Sequence, residues 1–155
     1  MRHMIAKLGL AILVMAVAGM ALACEDDKET DQQPPSKAEI LINLTAGQDD
    51  PHRATLALMM ADIAAKDDRE VTVFLNIDGV ELATKDLPDT VQHQQFPPVR
   101  ELMAQLISDG ATVLACGVCL NAAGIPADQL VEGVELATPD NLFAHFDAGA
   151  GVISY

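Results

Sequence analysis

Two cysteines three positions apart, Cys116 and Cys119, stand in the stretch LACGVCLNAAG, residues 114–124. A C-x-x-C pair supports four kinds of chemistry: a short disulfide, half of a zinc site, a thiol–disulfide couple, or a reactive thiolate with a neighbour that resolves it. Zinc needs two further ligands, and the chain has no second cysteine pair, while His52, His93 and His145 show no paired spacing. A disulfide across so short a loop removes little entropy from the unfolded chain. Thioredoxin-like oxidoreductases carry their pair after the first strand, whereas here a β-α-β-α stretch comes first. The spacing alone leaves the remaining readings open.

The elements around the pair decide where it sits. EILINL (39–44) is a near-continuous apolar run, as expected of a strand covered on both faces. After the polar loop TAGQDD, Asp50 and Pro51 read as N-cap and first helical residue, and Leu56, Met60, Ile63 and Ala64 recur at helical spacing up to Lys66. VTVFLNI (71–77) predicts a second strand, and the following DGVELATKDLPDTVQHQQ a loop with a short helical turn. Val99, Leu102, Met103, Leu106 and Ile107 form the stripe of a clear helix, opened by Pro97 and Pro98 and closed by Gly110. TVLAC (112–116), GVELA (133–137) and GVISY (151–155) complete the strands, with a helix capped by Thr138 and Pro139 before the last. Alternating strands and helices predict an α/β sandwich with a mainly parallel sheet.

In such sheets, reaction sites gather at the carboxyl ends of the strands. Cys116 ends the third strand, and the TAGQDD loop ends the first. If CLNAAG opens a short helix, Cys119 lies in its first turn and Cys116 faces the same rim. Unpaired N–H groups and the helix dipole would then favour a thiolate and lower the thiol pKa.

Composition narrows the partners and the compartment. The chain of 155 residues has a net charge of −14, no Trp and one Tyr. A surface so acidic repels phosphate backbones, which argues against nucleic acid as a ligand. Residues 1–23 have a basic start, an apolar run from Leu8 to Ala23 and a terminal Ala21-Leu22-Ala23, the pattern of an export signal. The apolar run is shorter than the roughly 20 residues of a membrane span. Cys24 follows directly, where bacterial lipoproteins receive their lipid, although Ala21 and Leu22 are not the usual lipobox residues. The acidic stretch 24–37 lacks apolar residues and reads as a disordered tether to a domain at 38–155. The expected location is therefore outside the cytoplasm, periplasmic and lipid-anchored through Cys24, in an oxidising environment.

From Ala38 to the end, four segments in order resemble the DsrE/DsrF-like family, which includes TusD-type sulfur-relay subunits and YchN-like proteins. They are LTAGQDDPHRA, VTVFLNIDGVELA, VLACGVCLNAAGI and LVEGVELATPDNLFAHFDAGAGVISY. The resemblance implies a three-layer α/β/α sandwich with a mainly parallel five-stranded sheet, and assembly into trimers or hexamers. Sulfur-carrying members hold a persulfide on a cysteine that ends the third strand, eight positions before a glycine. Cys116 and Gly124 have that spacing, so the resemblance implies that Cys116 accepts sulfur and that Cys119, in a Cys-Gly-x-Cys run, resolves it. It implies a sulfur donor or acceptor protein, or a sulfane-sulfur compound, as partner, and calls for no cofactor. Ala122 and Ala123 stand where the relay pattern has arginines, and with the export signal this argues against a tRNA-modification relay. Asp49, Asp50, His52 and His145 are polar candidates near the pair. The competing reading is a non-catalytic binding or assembly module, or a redox protein, with a Cys116–Cys119 disulfide.

Overall fold

The computed structural model describes residues 37–155. The export segment 1–23, Cys24 and the tether up to residue 36 lie outside the described residues. Lys37, the last residue assigned to the tether, is held by the domain through an ion pair with Asp67.

Five strands form one sheet in the order β4-β3-β2-β1-β5: β1 (Ile40–Leu44), β2 (Val71–Leu75), β3 (Thr112–Cys116), β4 (Val134–Ala137) and β5 (Gly151–Ser154). All four strand pairs are parallel. The connections from β1 to β4 step in one direction, so right-handed crossovers put α1 (Pro51–Lys66) and α2 (Val99–Ser108) on one face. The step from β4 to β5 runs back across the sheet, which puts α4 (Pro139–Asp147) on the other. There, α4 sets His145 Nδ1 2.6 Å from Glu39 Oε1, beside the buried Thr72 of β2. The three-layer expectation thus matches the observed sheet and its helices.

The core lies on the α1/α2 side, where Ile42, Leu44, Val73, Leu75, Val113 and Ala115 meet Leu58, Met103 and Leu106. α1 starts as its sequence dictates, with the Asp50 carboxylate accepting the Arg53 N–H at 3.0 Å. Its buried face corrects the expected stripe. Ala54, Ala57, Leu58, Ala61 and Ala64 face inward, while Leu56, Met60 and Ile63 are exposed. Both sets recur at helical period, and the alanine set lets the helix lie close to a sheet already filled by Leu and Val.

β2 is also shorter than expected, ending at Leu75. The Asn76 side chain donates to Asn43 Oδ1 at 2.6 Å, and Ile77 adopts φ +53°, which no strand can continue. A seven-residue 3₁₀ turn, Ile77–Ala83, follows and buries Val80, Leu82 and Ala83. The short helical turn expected after β2 is thus present, and it belongs to the core.

Candidate functional site

Cys116 and Cys119 sit at the carboxyl rim, as the strand-to-helix reading expects. Cys116 ends β3 and serves as N-cap of α3 (Gly117–Ala123), its Sγ accepting the Cys119 N–H at 3.3 Å. Leu120 is the buried anchor of this short helix, and Gly124 closes it in a left-handed conformation, φ +70°. The eight-position spacing from Cys116 to Gly124 is thus the span from the N-cap of a two-turn helix to its C-terminal glycine. Gly124 contributes a helix stop rather than a contact with the thiols.

Both cysteines are half-buried free thiols. The expected lowering of the thiol pKa is overturned at Cys119. Burial pushes this thiol above its ordinary value, the hydrogen bond shared with the Cys116 side chain adds to that, and the Ile77 backbone opposes it. The thiol is thus raised despite its place in the first turn of α3. Alkylation checks this: Cys119 is expected to react with iodoacetamide more slowly than a free cysteine near neutral pH. Its rate should still be rising at a pH where free cysteine has levelled off. In the Cys116→Ser variant the retardation should shrink yet persist, because burial is the larger cause. Peptide mass spectrometry of the time course reads both, and reaction as fast as free cysteine near neutral pH would contradict the geometry.

Beside Cys119 opens a cavity of about 420 Å3 whose walls include Ile77, Asp78, Glu81 and Val118. The 3₁₀ turn supplies the first three and α3 the last. The TAGQDD loop backs this wall, with Gln48 N–H directed at Glu81 Oε2 across 3.4 Å. None of these wall residues followed from motif or periodicity. The signal for them was the sequence NIDG after β2, where a β-branched residue stands in a turn.

The polar candidates do not converge on the thiols. Asp50 caps α1, and Asp49 is exposed. His52 stacks on His93, with ring centroids 3.9 Å apart and planes 13° from parallel. His145 lies at the amino ends of the strands, bound to Glu39, so its assignment near the pair is corrected. It borders a separate cavity of about 330 Å3 that contains no thiol. The crossover to β5 carries α4 over Thr72, at the start of β2, far along the strand from the rim. Among the described residues, no group of three or more His, Cys, Asp or Glu side chains is arranged to hold a metal ion.

Comparisons with known proteins agree with this architecture. The model of the DsrE/DsrF-like family matches residues 38–155. An uncharacterized protein of Methanopyrus kandleri, MK0008, is 44% identical over 91 residues, covering 58% of this chain and 71% of that protein. Two from Methanocaldococcus jannaschii, MJ0760 and MJ0989, are 35% identical over 99 residues and 34% over 103. Those alignments cover 64% and 66% of this chain; they span 36% of MJ0760 and 87% of MJ0989. Among solved structures, MTH1491 from Methanobacterium thermoautotrophicum, a protein of unknown function, superposes with a TM-score of 0.61 at 19% identity. The ychN protein from E. coli gives 0.58 at 19% identity. Each covers 76% of this chain and 99% of the other, and at that identity the likeness concerns the fold alone.

Proposed function

This chain belongs to the DsrE/DsrF-like family, and from that premise we propose that it carries sulfane sulfur as a persulfide on Cys116, with Cys119 releasing it. Family membership supports a general sulfur-transfer role. The observation that carries the finer reading is the pair's geometry. Cys116 Sγ accepts the Cys119 N–H at the rim, and burial raises the pKa of the Cys119 thiol. The two sulfurs thus share one helical turn, one of them facing a backbone N–H donor.

In the loading step, the Cys116 thiolate attacks the terminal sulfur of a donor persulfide, R–S–SH. A new S–S bond forms on Cys116 as the donor's S–S bond breaks, and the electron pair leaves with R–S⁻. The product is Cys116–S–SH, and no net oxidation occurs. An acceptor thiolate can then take the terminal sulfur and restore Cys116. Alternatively, the Cys119 thiolate attacks the inner sulfur, forming the Cys116–Cys119 disulfide and expelling HS⁻, with the Cys119 proton passing to solvent. An external dithiol then reduces the disulfide.

The site of action in this proposal is the periplasm, with residues 1–23 as export signal and Cys24 as lipid attachment point. The composition of that segment supports it. Homo-oligomerisation, as a trimer or hexamer, belongs to the same proposal. The exposed Leu56, Met60 and Ile63 of α1 and Phe143 and Phe146 of α4 are apolar surface that subunit contacts would cover.

The test is transfer to a thiol acceptor after exposure of the full chain to polysulfide and removal of excess reagent. Wild-type protein is expected to pass labelled sulfur to the acceptor, and the Cys116→Ser variant to pass none. Equal transfer by the two would defeat the assignment.

A further inference from the structure

Ile77 occupies a backbone conformation that suits it badly. A β-branched residue at φ +53° carries a steric cost of about 1–2 kcal/mol that glycine would avoid. Its side chain is 59% exposed, so packing within the domain recovers little of that cost. Across the same cavity Val118 is 79% exposed, although it stands on a helix between Gly117 and Cys119. Two large aliphatic side chains thus flank the opening beside Cys119, neither accounted for by the core.

The charged groups of that cavity are all of one sign. Asp78 and Glu81 line it, and no Lys or Arg does. With a chain charge of −14 behind them, an approaching inorganic sulfur anion meets repulsion at close range. A basic surface is attracted instead.

We propose that this rim is a docking surface for a protein partner whose reactive segment is apolar at its centre and basic at its edges, with Ile77 and Val118 as apolar anchors and Asp78 and Glu81 as charge selectors. This rests on the sulfur-transfer reading for its purpose, but the surface is defined without it. Charge complementarity selects the occupant, and an apolar centre ringed by charge is the usual anatomy of a specific interface. A free inorganic donor gains nothing from this surface: supplied in excess it still reaches the thiol, but it is not the occupant the rim selects. Glu81 also receives the Gln48 N–H, which fixes its carboxylate against the loop and keeps it at the wall.

Fluorescence anisotropy on the full chain tests this with two labelled, unreactive peptides. One has a Leu-Ser-Leu centre flanked by lysines, and its counterpart has glutamates in place of the lysines. The basic peptide is expected to bind at least about tenfold more tightly, with affinity falling as salt rises. Asp78→Asn with Glu81→Gln should weaken it about tenfold and flatten the salt dependence, because both substitutions keep shape and remove charge. Val118→Ser and Ile77→Asn should each weaken it about fivefold without changing the salt slope, asparagine being tolerated at positive φ. Circular dichroism verifies that each variant is folded, and Val118→Ser alters only an exposed side chain. Equal binding of the two peptides, no binding of either, or affinities unmoved by these variants would overturn the proposal. Sulfur loading of Cys116 by polysulfide is measured on the same preparations. If loading fails while the peptide pattern holds, the sulfur-transfer reading falls and the docking surface stands. If loading holds without the pattern, only the docking surface falls.

Discussion

Gly79→Ala is expected to destabilise the domain by about 3 kcal/mol, the upper end of what a forced overlap in a packed region costs. A Cβ at this position would lie 2.3 Å from the Leu44 carbonyl oxygen and 3.1 Å from its carbon. Neither atom can swing aside, since both are main chain at the end of β1. The Gly79 N–H also donates to Thr45 O at 3.1 Å and Asn76 O at 2.9 Å. Relief therefore requires the whole 3₁₀ turn to move away from the sheet, taking the buried Val80, Leu82 and Ala83 with it. Thermal unfolding should show a midpoint lower by about 10 °C. Gly117→Ala is the matching control. Nothing lies within 4 Å of its added Cβ, and its φ is not positive, so alanine should be neutral or slightly stabilising. A Gly79→Ala midpoint within a degree or two of wild type would refute the close approach. The same displacement would carry Ile77 away from Cys119, so the rim should lose its peptide preference before the domain unfolds.

The second large effect is expected from Cys119→Ser. Without the second sulfur, the proposed route that expels HS⁻ through a Cys116–Cys119 disulfide would be closed. Sulfide release from persulfidated protein with no thiol added, the single turnover that Cys119 itself drives, should fall about tenfold, and the persulfide on Cys116 should persist correspondingly longer. Serine matches cysteine closely in shape, and the N–H of residue 119 remains available to Cys116 Sγ. Loading of Cys116 should therefore survive, which separates release from acceptance. Colorimetric sulfide measurement follows the first quantity and peptide mass spectrometry the second. Unchanged sulfide release in Cys119→Ser would remove Cys119 from the chemistry and leave it a half-buried neighbour.

Most of the fold was legible in the residues because each element carried its own signal. Asp50-Pro51 and Thr138-Pro139 mark helix starts by capping chemistry that acts locally, and both caps are made by the expected side chains. The apolar runs of β1, β2 and β3 likewise required cover on both faces. What was illegible depended on choices between equivalent patterns. α1 carries two stripes of helical period, and sequence gives no rule for preferring alanines over Leu56, Met60 and Ile63 as the buried one. The short helical turn after β2 was expected, but a period near three over only seven residues does not show which of its side chains are buried.

The site divided in the same way. Cys116 and Cys119 were visible from residue type and spacing, and their placement at a strand end followed from alternation of elements. The direction of the Cys119 shift was not, because it depends on how deeply α3 presses the thiol against the core. Nor was the wall of Ile77, Asp78, Glu81 and Val118, which comes from two segments separated by 34 or more positions in the chain and joined only by packing. His145 stood with Asp49, Asp50 and His52 as a polar candidate near the pair. The crossover of α4 places it at the opposite end of β2 instead.

The proposed function turns on whether Cys116 takes up a second sulfur. The most direct measurement is the peptide mass of the full-length protein after brief exposure to polysulfide, rapid alkylation and digestion without reductant. The peptide holding Cys116 and Cys119 should gain the mass of one sulfur atom, with fragmentation assigning it to Cys116. A peptide that never gains sulfur, or gains it only on Cys119, would contradict the account.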